Sequence, residues 1–355
     1  MAIIGAGMAG ASLAAALGEK ARVLLIEGED RPGYHATGRS AAFWMESYGG
    51  PGVQPLTRAS GPFLQARGFL APRGALTLAR QGQEADARAF MAKFAALGVR
   101  MGLQDRQALE RHVPDLLPEW VLGVYEPDCS DIDVAGLHQH YLAAARKSGA
   151  ELRCSARLLA AAWQGDGWRL TLADGQEVAC RVLVNAAGAW ADGVAEMAGA
   201  RPLGIAPLRR TVAQLRVRPQ ASARLPLVLD LDGSFYFKPE AGRIWLSPHD
   251  ETPSPPCDTA PEEIDVATAI ARMEQVVPWA IEQVEHRWAG LRSFAPDRLP
   301  VYGFDPACPG FFWFAGQGGF GIQTAPAAAE LGARLLLGEA GGEIDPAPYA
   351  PGRFG

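Results

Sequence analysis

Gly5-Ala6-Gly7-Met8-Ala9-Gly10, lying between the apolar run Met1-Ala2-Ile3-Ile4 and a second one, Val23-Leu24-Leu25-Ile26, which ends on Glu27, decides how this chain folds. Strand, glycine turn, helix, then a strand ending in a carboxylate is the order that binding a dinucleotide demands. Gly5 permits the tight turn, Gly7 lets the backbone approach the phosphates, and Gly10 lets the helix pack close to its strand. The N–H groups of the first helical turn, Ala9 among them, then face the anion, and Glu27 accepts hydrogen bonds from the ribose. Ala9, Leu13, Ala14 and Leu17 give the helix an apolar side, and Gly18 can end it. The segment has no basic n-region and glycines interrupt its apolar core, which reads against a secretory signal. A redox enzyme with a nucleotide cofactor is the expectation.

At 355 residues the length favours two domains, and 48% hydrophobic content is ample for a sizeable core. The net charge of −6 is spread along the chain without a basic run, which disfavours a nucleic-acid surface, so an anionic substrate must be met by local arginines. The longest apolar stretch, Leu142 to Ala162, is interrupted by Arg146, Lys147, Glu151 and Arg153 and cannot cross a bilayer. Cys129, Cys154, Cys180, Cys257 and Cys308 are odd in number, far apart and without CxxC spacing. That reads against both a disulfide framework and a metal site. A cytoplasmic location follows, with peripheral contact to a membrane left open.

Outward from the opening motif, Asp133 can cap a helix from Val134 to Ser148, in which His138 and His140 point to different sides. A second helix is predicted over Glu84 to Leu97 with Phe90, Met91 and Phe94 inward. A third should begin at a Thr259–Glu262 capping box and run to Val276, with Ile264, Ala267, Ile270, Ala271 and Met273 as its buried stripe. Trp163 to Val184 reads as a meander and Leu227 to Leu246 as antiparallel strands. Gly310 to Gly316 reads as a buried strand, followed by the turn Gln317-Gly318-Gly319-Phe320-Gly321 and a helix from Thr324 to Leu337. This second strand, glycine turn and helix predicts another helix N-terminus aimed at the cofactor.

Four stretches together resemble the glutathione-reductase-type flavoproteins of the D-amino-acid oxidase superfamily: the opening motif with Glu27, the loop Gly33-Tyr34-His35-Ala36-Thr37-Gly38-Arg39-Ser40-Ala41-Ala42, Val184-Asn185-Ala186-Ala187-Gly188-Ala189-Trp190, and Gly316 to Thr324. The loop, Trp288-Ala289-Gly290-Leu291-Arg292-Ser293-Phe294 and the last glycine turn look most like the bacterial D-arginine dehydrogenase group. The resemblance implies non-covalent FAD, because no cysteine lies near Arg292 in sequence. It also implies an α/β fold: a discontinuous FAD-binding Rossmann domain (residues 1–72, 133–203 and 288–355) and an inserted substrate domain with a mixed or antiparallel sheet (73–132 and 204–287). By this resemblance the cofactor is held by Thr37, Gly38, Arg39, Ser40 and Ala41, by Ala187, Gly188 and Trp190, and by Gly318, Gly319, Phe320, Gly321, Ile322, Gln323 and Thr324. The hydroxyls, guanidinium and backbone donors of Thr37 to Ser40 suit a pyrophosphate and ribityl chain.

For the substrate, the resemblance assigns a carboxylate clamp to Arg210, Arg292 and Tyr236, and places Tyr48 on a mobile loop that closes over the site. Whether Arg209 or Arg210 points inward stays open, and both tyrosines could equally be packing residues. Two departures bear on specificity. Ala75 stands where arginine-preferring members carry a glutamate, and Phe43 and Met45 replace polar residues. The expected reaction is oxidative deamination of a neutral or hydrophobic D-amino acid to an imino acid, hydrolysed to a 2-oxo acid and ammonia. The alternatives are a glycine-, sarcosine- or proline-type amine oxidase, a flavin-dependent 2-hydroxy-acid dehydrogenase, and a non-catalytic flavin-binding subunit. No side chain stands out as an obligatory base, and oxygen and a quinone are both open as electron acceptor.

Overall fold

The computed structural model describes residues 1–355. The opening motif forms the strand Ala2–Ile4, a turn through Gly5, and the helix Met8–Leu17, which ends at Gly18 with φ 54°. Ala2–Ile4 lies inside a six-stranded sheet whose order is Val301–Phe304, Phe311–Ala315, Leu183–Asn185, Ala2–Ile4, Leu24–Ile26 and Glu151–Arg153. All neighbours run parallel except the edge strand Val301–Phe304. Phe311–Ala315 is buried throughout, as a strand covered on both faces must be. The helices Met8–Leu17 and Ala325–Leu337 pack together on one face through Leu13, Leu17, Leu331 and Leu336. On the other face Trp168, Leu170 and Leu172 of an antiparallel meander meet Trp313 and Phe311.

A second, mixed sheet contains the long antiparallel pair Ala206–Arg218 and Ala280–Phe294, then Arg243–Ser247, Tyr236–Glu240, Leu227–Asp230, Ala75–Arg80, Trp120–Glu126 and Gly102–Asp105. Only Leu227–Asp230 and Ala75–Arg80 pair in parallel. Its own core gathers Leu76, Trp120, Phe237, Leu246 and Met273. The fold is therefore the expected α/β arrangement with a second sheet. The division expected at residue 288 falls inside the single strand Ala280–Phe294, so the residues up to Phe294 continue the second sheet toward the first.

The helix predicted from Thr259 starts later, as Glu263–Glu274, and no capping box forms. The Glu262 carboxylate is taken by the Arg209 guanidinium, which removes it from the backbone it would have capped. Of the predicted stripe Met273 is buried and Ile270 partly so, while Val266 and Ala269 complete the buried face and Ile264 is 67% exposed. The helix Val134–Lys147 is capped by Asp133 Oδ1, which accepts the Gly136 N–H at 2.9 Å. His138, buried, donates through Nε2 to the Ala6 carbonyl at 2.9 Å and so braces the glycine turn, while His140 packs against Phe63 and Phe69. All five cysteines are unpaired, and no helix is long and apolar enough to cross a membrane.

Candidate active site

One cleft runs between the two sheets. At its first end, Gly5 adopts φ +100°, and a Cβ there would lie 2.4 Å from the Ala186 carbonyl oxygen, so only glycine lets the two strand ends approach. A Cβ on Gly10 would stand 1.9 Å from the Gly5 oxygen. Gly10 thus shapes the turn from behind and does not itself line the cleft. Gly7, Ala9 and Glu27 do. Glu27 accepts the Ala6 N–H at 2.9 Å and the Glu29 N–H at 3.1 Å, which fixes its carboxylate at the tip of its strand.

The Thr37 loop lies over this turn, but its polar groups are used differently from the expectation. Thr37 Oγ1 accepts the Met8 N–H at 2.9 Å and so caps the first helix. The Arg39 guanidinium pairs with Asp258, donates to the Thr259 carbonyl at 2.9 Å and lies over the Tyr34 ring. It stitches the loop to the second sheet and is not a free cation. Gly38 donates to the Gly33 carbonyl at 2.8 Å and stays outside the lining. Ser40 and Ala41 line the cleft, as do Ala187, Gly188 and Trp190 opposite them.

In the last glycine turn Gly318, Gly319, Gly321 and Ile322 face the cleft, whereas Phe320, Gln323 and Thr324 turn away. Phe320 packs between Tyr48 and Phe294. Gln323 accepts from the Met45 N–H at 3.3 Å and donates to the Tyr48 carbonyl at 3.0 Å and to Thr57 Oγ1 at 2.9 Å. The Thr324 hydroxyl donates to the Phe320 carbonyl. The helix Ala325–Leu337 starts beyond the lining, and its Ala327 N–H already donates to Ser60 Oγ at 3.2 Å. The turn, not the helix N-terminus, therefore meets the cofactor space.

The backbone N–H groups of Gly7, Ser40, Ala41, Gly319, Gly321 and Ile322 all belong to cleft-lining residues and find no acceptor within the protein. Unpaired donors gathered along one concave surface are costly unless water or a ligand accepts from them. With a carboxylate at one end for ribose and donors at the other, the cleft fits an FAD molecule.

The substrate end is built on the long antiparallel pair. Arg210 pairs with Gly290 and Leu208 with Arg292, so both guanidiniums leave the same face, two registers apart. Arg209 points the opposite way, into Glu262 and Asp265, which settles which arginine turns inward. Arg210 is 3% exposed; its Nε donates to the Asp250 carbonyl at 2.7 Å and one terminal nitrogen approaches Glu251 at 3.3 Å. The other, Nη1, is buried without a partner. Burial and then the Arg292 charge hold its pKa below the usual arginine value, though a guanidinium remains cationic throughout the working range. Tyr236, 1% exposed, lines the cleft beside the pair.

Arg292 Nη1 donates to Tyr48 Oη at 2.7 Å. Burial would raise the Tyr48 pKa, but the charges of Arg292 and Arg210 outweigh it and lower the phenol below its usual value. Tyr48 stands behind the arginines and is not itself part of the cleft lining. Its segment is tied down by Gln323 and by buried Glu126, which accepts the Glu46 N–H at 2.7 Å and the Ser47 hydroxyl at 2.6 Å. Gly49 is required there for packing, since a Cβ would meet Phe320 at 2.9 Å.

Three residues of the site were not singled out in the sequence. Val212 and Cys257 line the cleft. His249 reaches Tyr48 Oη through Nε2 at 3.4 Å and Gly233 O through Nδ1 at 2.5 Å. No sequence signal marked it, since it lies beyond the end of the strand Arg243–Ser247, at φ +55°. Ala75, by contrast, does not line the cleft; it is 0% exposed and packs with Phe43, Met45, Cys129 and Tyr236.

The model of the family described as FAD dependent oxidoreductase (DAO) matches residues 1–335. The chain is 29% identical over 255 residues to the hydrogen cyanide synthase subunit HcnC of Pseudomonas aeruginosa, covering 70% of this chain and 59% of that protein. It is 31% identical over 170 residues to glycine oxidase of Pseudomonas aeruginosa, covering 47% of this chain and 44% of that one. The matches thus span about half the length of these relatives. Among solved structures it is similar to L-proline dehydrogenase from P. horikoshii, with TM-score 0.87 and 21% identity over 99% of this chain and 96% of the other. Glycine oxidase from Geobacillus kaustophilus superposes with TM-score 0.83 and 23% identity over 98% and 97%. At these identities the two superpositions speak for the fold alone.

Proposed function

The chain belongs to the FAD dependent oxidoreductase (DAO) family, and on that premise we propose that it oxidises the α-amine of a neutral amino acid, D-configured where Cα carries a side chain. The resulting imino acid hydrolyses to a 2-oxo acid and ammonia. One observation carries the reading: the buried Arg210 leaves Nη1 without a partner beside the Arg292 guanidinium. A substrate carboxylate satisfies that nitrogen and relieves two like charges at once. Tyr236 supplies a hydroxyl at the same end of the cleft.

In this reading residues 1–72, 133–203 and 288–355 form most of the cofactor-binding half. The Gly7, Ser40 and Ala41 N–H groups hold the pyrophosphate and Glu27 the ribose. The donors of Gly319, Gly321 and Ile322 lie toward the ring system. Bound FAD supplies a hydride acceptor for the Cα–H bond. The protein's part is to fix the carboxylate, and with it the orientation of Cα, and to remove a proton from the ammonium so that the nitrogen lone pair can assist.

No acidic side chain lines the arginine end; the only carboxylate in the lining is Glu27, at the ribose end. A cationic substrate side chain therefore has no partner there. A glycine- or proline-type substrate is the second reading. It fits the apolar cluster of Phe43, Met45, Ala75 and Cys129 that packs behind Tyr236, outside the cleft lining. Following reduction of an artificial electron acceptor with D-leucine, D-phenylalanine, glycine, sarcosine, L-proline and D-arginine, and identifying the products (2-oxo acid and ammonia from a primary amine, methylamine or formaldehyde from sarcosine, a cyclic imine from proline), separates these readings. Preferential turnover of D-arginine would overturn both.

A further inference from the structure

We propose that Glu251, held from the surface by Arg298, sets how tightly the arginine clamp grips a carboxylate. It is a positioning residue that acts through Arg210 and loosens the grip so that the 2-oxo acid product can leave. The inference rests on the amine-oxidising reading above and adds to it an acid that lies outside the cleft lining.

Strand register brings Glu251 to the clamp. Thr252 pairs with Arg209 and Pro253 with Leu208 in an antiparallel contact, so the residue before Thr252 falls opposite Arg210. The chain is fixed on both sides of it, because the preceding Asp250 accepts the Thr211 N–H at 2.7 Å and the Thr211 hydroxyl at 3.0 Å. From this position Glu251 Oε1 lies 3.3 Å from Arg210 Nη2 and accepts from Arg298 Nη2 at 2.7 Å. One oxygen thus serves two guanidiniums. Arg298 is braced in turn, its guanidinium lying 4.0 Å from the centre of the Phe294 ring, on the residue that ends the Arg292 strand.

These contacts divide the Arg210 guanidinium among three tasks. Nε donates to the Asp250 carbonyl at 2.7 Å, Nη2 faces Glu251, and Nη1 is the buried nitrogen without a partner. A carboxylate bound at Nη1 therefore shares one cation with the Glu251 carboxylate, and the two like charges repel. Arg210 cannot swing away to relieve this, being buried and held at Nε. Arg298 limits the repulsion by drawing Glu251 charge outward. The Arg298 side chain is 51% exposed and that of Glu251 33%, so the pair reaches from the clamp to solvent.

Substrate and product carry the same carboxylate, since the reaction changes only the amine end. Two buried guanidiniums without a counter-charge would hold both equally hard, and uniform binding lowers KM without raising kcat. Glu251 reduces that shared affinity and leaves orientation to Arg292 and Tyr236. The other acids are placed differently. The Asp250 carboxylate stands 3.9 Å from Arg210 Nε and is taken up by Thr211, Glu126 is held by Glu46 and Ser47, and Glu27 lies at the ribose end.

The test is calorimetric titration of the oxidised, FAD-loaded protein with propionate and with pyruvate, for wild type, Glu251→Gln, Arg298→Gln and the double variant. Glutamine keeps the length and hydrogen-bonding ability of Glu251 without its charge, and Arg298 is half exposed, so flavin content and thermal melting should stay near wild type. Glu251→Gln should bind both anions roughly fivefold more tightly, a figure that allows for the partial exposure of the pair. Arg298→Gln should bind them roughly two- to threefold more weakly, and should change little once Glu251 is glutamine. KM for the best amine and the inhibition constant for pyruvate should move in the same directions. A contact with a structural role alone predicts weaker binding in both single variants. That result, or an unchanged affinity in Glu251→Gln while Arg292→Met still weakens binding, overturns the inference and leaves the amine-oxidising reading standing. A wild type that binds neither anion and whose flavin no amine reduces overturns that reading itself.

Discussion

Replacing Arg292 by methionine removes one guanidinium from the clamp while keeping most of its length and apolar stem. In the folded protein that guanidinium donates to Tyr48 Oη at 2.7 Å and shares a strand face with Arg210, whose Nη1 has no protein partner. A planar fork on a carboxylate forms charge-assisted hydrogen bonds, and losing one such fork costs about 2–3 kcal/mol, or roughly 30- to 150-fold in affinity. Cofactor retention should not change, because the unpaired N–H donors that fit FAD belong to other residues. The assay is titration of FAD-loaded Arg292→Met with an amine-free carboxylate, followed by the visible spectrum, together with kcat/KM for the best amine. Arg292→Lys should recover only part of the loss, since an ammonium keeps the charge without the fork. A change below about threefold in carboxylate affinity, with FAD fully bound, would refute the clamp, because one charge-assisted hydrogen bond alone is worth more.

Gly10→Ala places a methyl 1.9 Å from the Gly5 carbonyl oxygen, so the purified variant should carry little or no FAD; a fully loaded variant would contradict the close-packing role. Glu27→Gln weakens two backbone contacts and the ribose site, and should raise the FAD dissociation constant about tenfold or more, read by fluorescence of released flavin. Burial raises the Glu126 carboxyl to about 7 from its usual 4.5, so between those values the folded protein holds a proton that the unfolded chain has released. Its contribution is therefore full below pH 4.5 and is lost as pH rises through about 7, a change on the order of 3 kcal/mol. Glu126→Gln should flatten this fall in Tm against pH, and an identical slope in variant and wild type would disprove it.

The first strand, glycine turn and helix could be read directly because their reasons are local: a positive φ at Gly5, a close approach at Gly10 and an apolar stripe ending at Gly18. The buried strand Phe311–Ala315 and the Asp133 cap were legible on the same grounds. What escaped depends on partners distant in sequence. Glu262 follows Thr259 at capping-box spacing, yet Arg209, 53 residues away, captures it and the helix starts late. Arg209 and Arg210 are adjacent, and only the register against Ala280–Phe294 decides which one faces the cleft. Arg39 carries a charge suited to phosphate, but Asp258 neutralises it from 219 residues away. His249 belongs to no glycine or arginine motif and lies beyond the strand Arg243–Ser247, so its place depends on contacts with Gly233 and Tyr48, both distant in sequence.

An anaerobic difference spectrum of the FAD-loaded protein tests the arginine clamp and the amine chemistry together. Adding neutral amino acids one at a time, with the Arg210→Met and Arg292→Met variants alongside, should bleach the wild-type flavin with at least one small neutral amine and leave both variants oxidised at the same concentration. Bleaching that is equally fast in the variants, or that no α-amino acid produces in the wild type, would contradict it.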